Sequence, residues 1–214
     1  PKDIDAVEAI SRITEKIHDF YVEHNLLNEL KSEPGKRFTA NGVIYSYARN
    51  EVWQGGDCQC IIDNLYSSNE KEIDAIMADV RAVVNEVALL GGATMKDLES
   101  HDPGREFIYP FLQKQVLLQN CPIQGQPFSF SVFDGFPVQM EQVKVFPVGD
   151  AKEVVLASDG YPHLYSTLYA SECYLADILE KDPLCIRLYK STKGIQEGNC
   201  SFDDRAYLKI RINR

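Results

Sequence analysis

The chain has 214 residues, of which 44% are hydrophobic and 25% are charged, and its formal net charge is −10. This composition is typical of a globular protein with a substantial core. An acidic surface argues against nucleic acid or an anionic membrane as the main partner. No apolar run approaches the roughly 20 residues that a membrane-spanning helix needs, and we recognise no signal-peptide pattern.

The cysteines provide a second constraint. The chain contains six of them and no C-x-x-C pair: Cys58, Cys60, Cys121, Cys173, Cys185 and Cys200. Zinc ribbons and redox motifs need such pairs. We therefore predict reduced, mostly buried thiols in a reducing compartment, and a cytoplasmic protein.

The first predicted element is an amphipathic helix over residues 5–24, followed by a loop at 32–36. Apolar residues recur on one face of that helix, at Ile10, Ile13, Ile17 and Phe20. A strand is predicted at 42–48. A paired strand follows between 50 and 63, interrupted by a turn at 55–57.

Two helices are predicted next, at 69–90 and 105–119. Ser68 or Asn69 is the expected N-cap of the first, and Gly91 with Gly92 ends it. Its apolar stripe is predicted at Ile73, Ile76, Met77, Val80, Val84 and Val87. In the second helix, Pro110 predicts a kink or a restart.

The second half of the chain is richer in strands. Strands are predicted at 128–136, 142–148, 152–160 and 206–214, with a helix at 166–181 and a short helix starting at Asp182-Pro183. The inward residues of the long helix are expected to be Leu168, Leu175, Ile178 and Leu179. The strands come in runs rather than in βαβ alternation, which indicates antiparallel sheets with helices packed outside. We predict an α/β (α+β) layered sandwich forming a single domain over residues 1–214.

Several aspartates lie where predicted strands meet polar loops. Asp57 follows one apolar strand, Asp159 follows another, and Asp203 with Asp204 precedes the last. Clustered carboxylates raise one another's pKa, and a hard cation such as Mg²⁺ or Mn²⁺ relieves that repulsion. Asp-Gly is also a common turn pair, and we interpret Asp134-Gly135 in this way.

Taken in order, "GVIYSYARNEVWQGGDCQCII", "EVVLASDGYPHL" and "SFDDRAYLKI" resemble the metal-dependent (type 2C) Ser/Thr protein phosphatases. The resemblance implies two stacked antiparallel sheets flanked by helices, an α-β-β-α sandwich. It also implies hydrolysis of phosphoserine and phosphothreonine in proteins by a metal-bound hydroxide, with Mn²⁺ or Mg²⁺. Asp159 and Asp203 match the core metal ligands, and Asp57 matches a ligand of an additional metal site.

The sequence also departs from the family pattern. The family's early Asp-Gly strand and phosphate-binding arginine should precede the first helix, but this sequence begins there, at Pro1. His163 stands where an aspartate is common, and Asp204 replaces the usual asparagine. Either the protein is longer, with an N-terminal segment or a second copy covering an exposed sheet edge, or the domain is a non-catalytic interaction module.

Three residues near these aspartates have two interpretations each. Gly160 would let a phosphate or hydrated ion approach the backbone, although it also suits a turn. His163 is either a ligand or general acid, or a turn histidine. Arg205 either holds phosphate or forms an ion pair within its own turn. The preferred function is a metal-dependent phosphoprotein phosphatase; the alternative is a non-catalytic interaction or regulatory domain.

Overall fold

The structure is a computed structural model that describes residues 3–196 and 198–213. Its helices are α1 (Ala6–Glu23), α2 (Leu27–Ser32), α3 (Glu72–Leu90), α4 (Met95–Ser100), α5 (Pro103–Lys114) and α6 (Leu168–Lys181). Its strands are β1 (Gly42–Ser46), β2 (Glu51–Gly55), β3 (Gln59–Ile62), β4 (Leu65–Ser68), β5 (Lys144–Pro147), β6 (Glu153–Ala157) and β7 (Tyr207–Arg211).

The strands form two sheets in the orders β1-β2-β5 and β4-β3-β6-β7, and all neighbouring strands are antiparallel. This confirms the predicted mixed class with antiparallel sheets. The two sheets face each other through alternate residues of their strands. Val52 of the first sheet packs in one cluster with Cys60, Val154 and Leu156 of the second.

Helices cover the outer faces of both sheets. Trp53, which follows the inward residue Val52 in β2, points to the outer face of the first sheet and packs against Ala6 and Ala9 of α1. On the other sheet, Val155 and Leu175 of α6 share a second cluster. Because successive residues of a strand point to opposite faces, this alternation produces a helix–sheet–sheet–helix order. Within the described residues, we find no helix long and apolar enough to cross a membrane.

The N-terminus of α3 differs from its prediction. It is preceded by Lys71, not capped by Ser68 or Asn69, and no side chain caps it. Ser68 belongs to β4, while the Asn69 amide donates to the backbone oxygen of Gly56 at 2.8 Å. The helix does end at Gly91, as predicted.

The buried face of α3 is shifted from the predicted stripe. Ile76 and Val87 are exposed by 38% and 63%, whereas Ile73, Met77, Val80 and Val84 are half-buried. The fully buried residues are Ala78, Arg81, Ala82 and Asn85. Arg81 and Asn85 both donate to the carboxylate of Asp102 just before α5, so a polar network rather than the valine stripe sets the face of this helix.

Residues 128–136 do not form the predicted strand. They contribute only isolated bridges, between Gln119 and Phe130 and between Ala40 and Phe133. The side-chain amide of Asn120 takes the place of a partner strand, because it accepts from the Val132 N–H at 3.1 Å and donates to its carbonyl at 2.9 Å. Residues 130–135 are all buried, so the alternation of apolar and polar residues in this segment marks neither a paired strand nor an exposed face.

Other predictions about helices hold only in part. Asp182 does not begin a helix; its carboxylate accepts from the backbone N–H groups of residues 186–188 and closes a turn. The helix predicted at 105–119 forms as α5 and a 3₁₀ helix at Gln115–Leu118, and it does not restart at Pro110, which lies inside α5. Leu168 of α6 and Phe20 of α1 are 49% and 39% exposed rather than inward.

Candidate functional site

Asp57, Asp159 and Asp203 line one cavity of about 150 Å³. The charged residues around it are Asp57, Glu70, Asp74, Asp159 and Asp203, together with Lys71, Lys190 and Lys193. Five carboxylates against three ammonium groups leave a formal charge of −2. A cavity with this balance attracts a further cation.

Strand pairing explains why the three aspartates meet. Gln59 of β3 pairs with Ala157 of β6, and Ala157 pairs with Tyr207 of β7. Asp57 lies two residues before Gln59, and Asp159 lies two residues after Ala157. Because the strands are antiparallel, these positions and residue 203 lie at the same end of the sheet.

The backbone at Asp57 needs a glycine before it. Gly56 has φ +74°, and a side chain there would collide with Asn41. Its N–H donates to Ser131 Oγ at 3.1 Å, while the Asn41 amide donates to the Asp57 carboxylate. The glycine thus turns Asp57 into the cavity, where it is 6% exposed.

Lys71 neutralises this buried carboxylate. Its ammonium group forms an ion pair with Asp57, and it lies 3.5 Å from Asp74 and 5.1 Å from the centre of the Phe130 ring. Burial alone would lower the pKa of Lys71, but Asp57 and Asp74 outweigh it and raise the pKa. Lys71 therefore stays charged in the cavity.

A second lysine, Lys193, forms an ion pair with Asp203. Its Nζ lies 2.6 Å from Asp203 Oδ1, which also accepts the backbone N–H of Asp204 at 2.9 Å. Lys193 comes from the irregular segment between α6 and β7. Neither lysine has a motif around it, so the sequence offered no signal that it would face the aspartates.

Asp159 differs from Asp57 and Asp203 in its partners. Among the described residues, no basic side chain forms an ion pair with it. Its side chain reaches solvent, yet surrounding protein and the charges of Asp57 and Asp203 raise its pKa to about 6, against the opposing effects of its own backbone N–H and Lys71. Of the three predicted ligands, Asp159 is therefore the one whose charge no basic partner in the described chain balances.

The donor chemistry fits a hard divalent cation, because carboxylate oxygens are the ligands that Mg²⁺ and Mn²⁺ prefer. In the described part of the chain, however, no three His, Cys, Asp or Glu side chains are already arranged to hold a metal ion. Lys71 and Lys193 hold two of the three candidate carboxylates. Binding of a metal at Asp159 would accordingly require side-chain rearrangement around it.

The remaining predicted site residues lie at the rim or outside this cavity. Arg205 forms two bonds of 2.8 and 2.7 Å with Glu172 of α6, so an ion pair within its own turn is the wrong interpretation. His163 packs against the rings of Tyr66 and Tyr165, with centroids 4.5 and 4.9 Å away, and does not line the cavity.

Asp204 and Arg205 instead line an adjoining cavity of about 640 Å³, which shares Asp203 and Lys193 with the first. Gly160 packs against the backbone of Asp204. A further basic residue that the sequence analysis missed is Arg105 of α5, which lines a neighbouring cavity with Asp159 and Asp203 and donates to the Thr192 carbonyl at 2.8 Å.

A scan of the chain against protein-family models finds no match, and searches of curated proteins and of solved structures find no match either.

Proposed function

We propose that the chain is a metal-dependent phosphatase-like hydrolase that uses Mn²⁺ or Mg²⁺ to cleave phosphate esters of serine and threonine in proteins. The observation that supports it best is the meeting of Asp57, Asp159 and Asp203 in one cavity of net negative charge. These are the three positions at which the sequence resembles the type 2C phosphatases. Asp159, with no basic partner among the described residues, would be the first ligand.

In this proposal Asp159 and Asp203 hold the catalytic metal and Asp57 contributes to an additional site. When bound, the metal would supply a water of lowered pKa as the nucleophile. The chain itself would orient the carboxylates through Gly56 and the paired ends of β6 and β7. The adjoining cavity, with Arg205 and Lys193 on its lining, would receive the peptide that carries the phosphate.

The test is hydrolysis of an aryl phosphate by metal-stripped protein, with and without added Mn²⁺. We expect turnover that depends on Mn²⁺ and is lost on Asp159→Asn, because this change removes the unpaired ligand. Asp177→Asn is the matched control, since Asp177 is an exposed residue of α6 that pairs with Lys181. Turnover without metal, or none with Mn²⁺, would contradict the proposal.

A second candidate function is a non-catalytic interaction domain. Lys71 and Lys193 favour it, because their ammonium groups already neutralise Asp57 and Asp203. Such a domain would fold without metal and give no heat on titration with Mn²⁺. Binding at millimolar concentration or tighter, abolished by Asp159→Asn, would exclude it.

A further inference from the structure

The two lysines of the cavity are held in very different ways. Lys71 is 13% exposed in its side chain and is fixed by Asp57, Asp74 and the Phe130 ring. The Lys193 side chain is 36% exposed, and among residues 3–196 and 198–213 its Nζ has one carboxylate partner, Asp203. Moving Lys71 would leave a buried carboxylate unpaired, which is costly. Moving Lys193 returns a partly exposed ammonium group to water.

The backbone around Lys193 is anchored independently of its side chain. The carbonyls of Ser191 and Thr192 accept bonds of 2.9 and 2.8 Å from Arg81 and Arg105. The N–H of Ile195 donates to the Pro183 carbonyl at 2.9 Å. The Lys193 side chain can therefore leave the cavity while its segment stays in place.

Lys193 and a metal ion would compete for the same atoms. Asp203 Oδ1 already accepts from Lys193 and from the N–H of Asp204, so a cation that takes this oxygen must displace the ammonium group. A cation on the other oxygen would lie beside a like charge, which is unfavourable in a partly buried cavity. Asp159 lines the same space, so the two carboxylates are available to a metal once Lys193 has moved.

We propose that Lys193 is an exchangeable counter-ion that competes with divalent metal for Asp203, whereas Lys71 is a permanent counter-ion of Asp57. This inference rests on the proposed function, since it assumes a metal at Asp159 and Asp203. It assigns Lys193 the role of setting metal affinity. In the metal-free protein the lysine neutralises Asp203, and the metal binds by displacing it.

The experiment is calorimetric titration of metal-stripped protein with Mn²⁺. We expect Lys193→Met to bind Mn²⁺ about fivefold more tightly than the unmodified chain, the upper end for one partly exposed ion pair. Lys193→Arg keeps the positive charge beside Asp203 and should bind Mn²⁺ with the affinity of the unmodified chain. Lys181→Met is the matched control, because Lys181 forms an exposed ion pair of 2.6 Å with Asp177 of α6 and lies outside the cavity lining.

The outcomes separate this inference from the proposed function. Equal Mn²⁺ affinity in the unmodified chain and in Lys193→Met overturns the competition and leaves the phosphatase proposal standing. Binding by Lys193→Met alone supports the competition and contradicts metal-dependent catalysis by the unmodified chain. Binding by neither protein overturns both. Lys193→Gln, which removes the same charge with a polar side chain, repeats the measurement should the methionine variant fold poorly.

Discussion

Gly160 lies directly against the backbone of Asp204: a Cβ on Gly160 would overlap the Asp204 carbonyl oxygen and come within 2.8 Å of the Arg205 Cβ. The two residues belong to the segments that follow β6 and precede β7. Gly160 and Asp204 are the chain neighbours of Asp159 and Asp203, so their contact brings the two segments of the site together. The glycine is therefore needed for close packing between two segments of the site.

Gly160→Ala should destabilise the protein by about 2 kcal/mol, because the methyl group meets backbone, which cannot rotate away as a side chain can. Urea denaturation measures the change. Gly35→Ala is the control, since a Cβ there would have only Val116 at 4.0 Å for a neighbour. Equal stability of the two variants would show that the Gly160 contact relaxes freely.

The raised pKa of Asp159 predicts how stability changes with pH in the absence of metal. Its folded-state pKa is about 6, against roughly 3.9 in an unfolded chain. At a pH between these two pKa values, the Asp159 carboxyl group is therefore protonated in the folded protein and ionised in the unfolded chain. The stability that it contributes is lost as pH rises through this window.

Asp159→Asn removes the titrating carboxyl group and with it the loss of stability as pH rises. At pH 7.5 with a chelator, we expect the variant to be more stable than the unmodified protein by about 1 kcal/mol, a figure reduced for the solvent exposure of this side chain. At pH 4 the gain should largely vanish. Urea denaturation at both pH values is the measurement, and a gain that is the same at both would contradict the assigned cause.

The strand ends that carry the aspartates were predictable from the sequence, because alternation of apolar and polar residues is a local pattern. Antiparallel pairing of β3, β6 and β7 is enough to bring Asp57, Asp159 and Asp203 to one end of a sheet. The counter-ions were not predictable in this way. Lys71 and Lys193 reach the cavity from a helix start and an irregular segment, whose placement follows from tertiary packing.

The errors in the fold have a similar origin. Alternation at 128–136 suggested a strand, but the amide of Asn120 satisfies the backbone there. The valines of α3 suggested its buried face, but the Arg81–Asp102 ion pair, formed between residues 21 positions apart, decides it. In both places one long-range polar group outweighs a clear local pattern.

The free cysteines predict a reactivity pattern. Burial, above all, raises the pKa of Cys58 to about 12, of Cys60 to about 11 and of Cys185 to about 12, whereas Cys173 and Cys200 are exposed. A pKa near 12 leaves on the order of 1,000-fold less thiolate than an ordinary cysteine has. Iodoacetamide at pH 8 should modify the exposed pair and spare the buried three until the protein unfolds.

Mass spectrometry of proteolytic peptides after timed labelling checks this pattern. Protection of Cys58 also bears on mechanism, because a thiol next to Asp57 with so little thiolate is unsuited to act as a nucleophile. Rapid labelling of Cys58 in folded protein would contradict both its burial and this conclusion.

Asp134 looks like Asp159 in the sequence, since each is followed by glycine after an apolar run, but its surroundings are different. Its fully buried carboxylate accepts bonds of 3.0 Å from Arg37, from the Asn120 amide and from the Phe136 N–H. The turn interpretation is incomplete, because this aspartate ties the segment after α2 to residues 120–136. All its partners are supplied by the protein itself.

Asp134→Asn should therefore cost about 3 kcal/mol of unfolding free energy, since it leaves Arg37 without its carboxylate partner. Asp159→Asn should not destabilise the protein at neutral pH, and in a chelator it should give the gain of about 1 kcal/mol expected above, because Asp159 has no basic partner to lose in the described chain. Denaturation in a chelator and Mn²⁺ titration of both variants distinguish the two residues. We expect Asp134→Asn to lose stability and keep its affinity for Mn²⁺. We expect Asp159→Asn to lose affinity for Mn²⁺ without losing stability. A stable Asp134→Asn that binds Mn²⁺ more weakly would instead place Asp134 in a metal site.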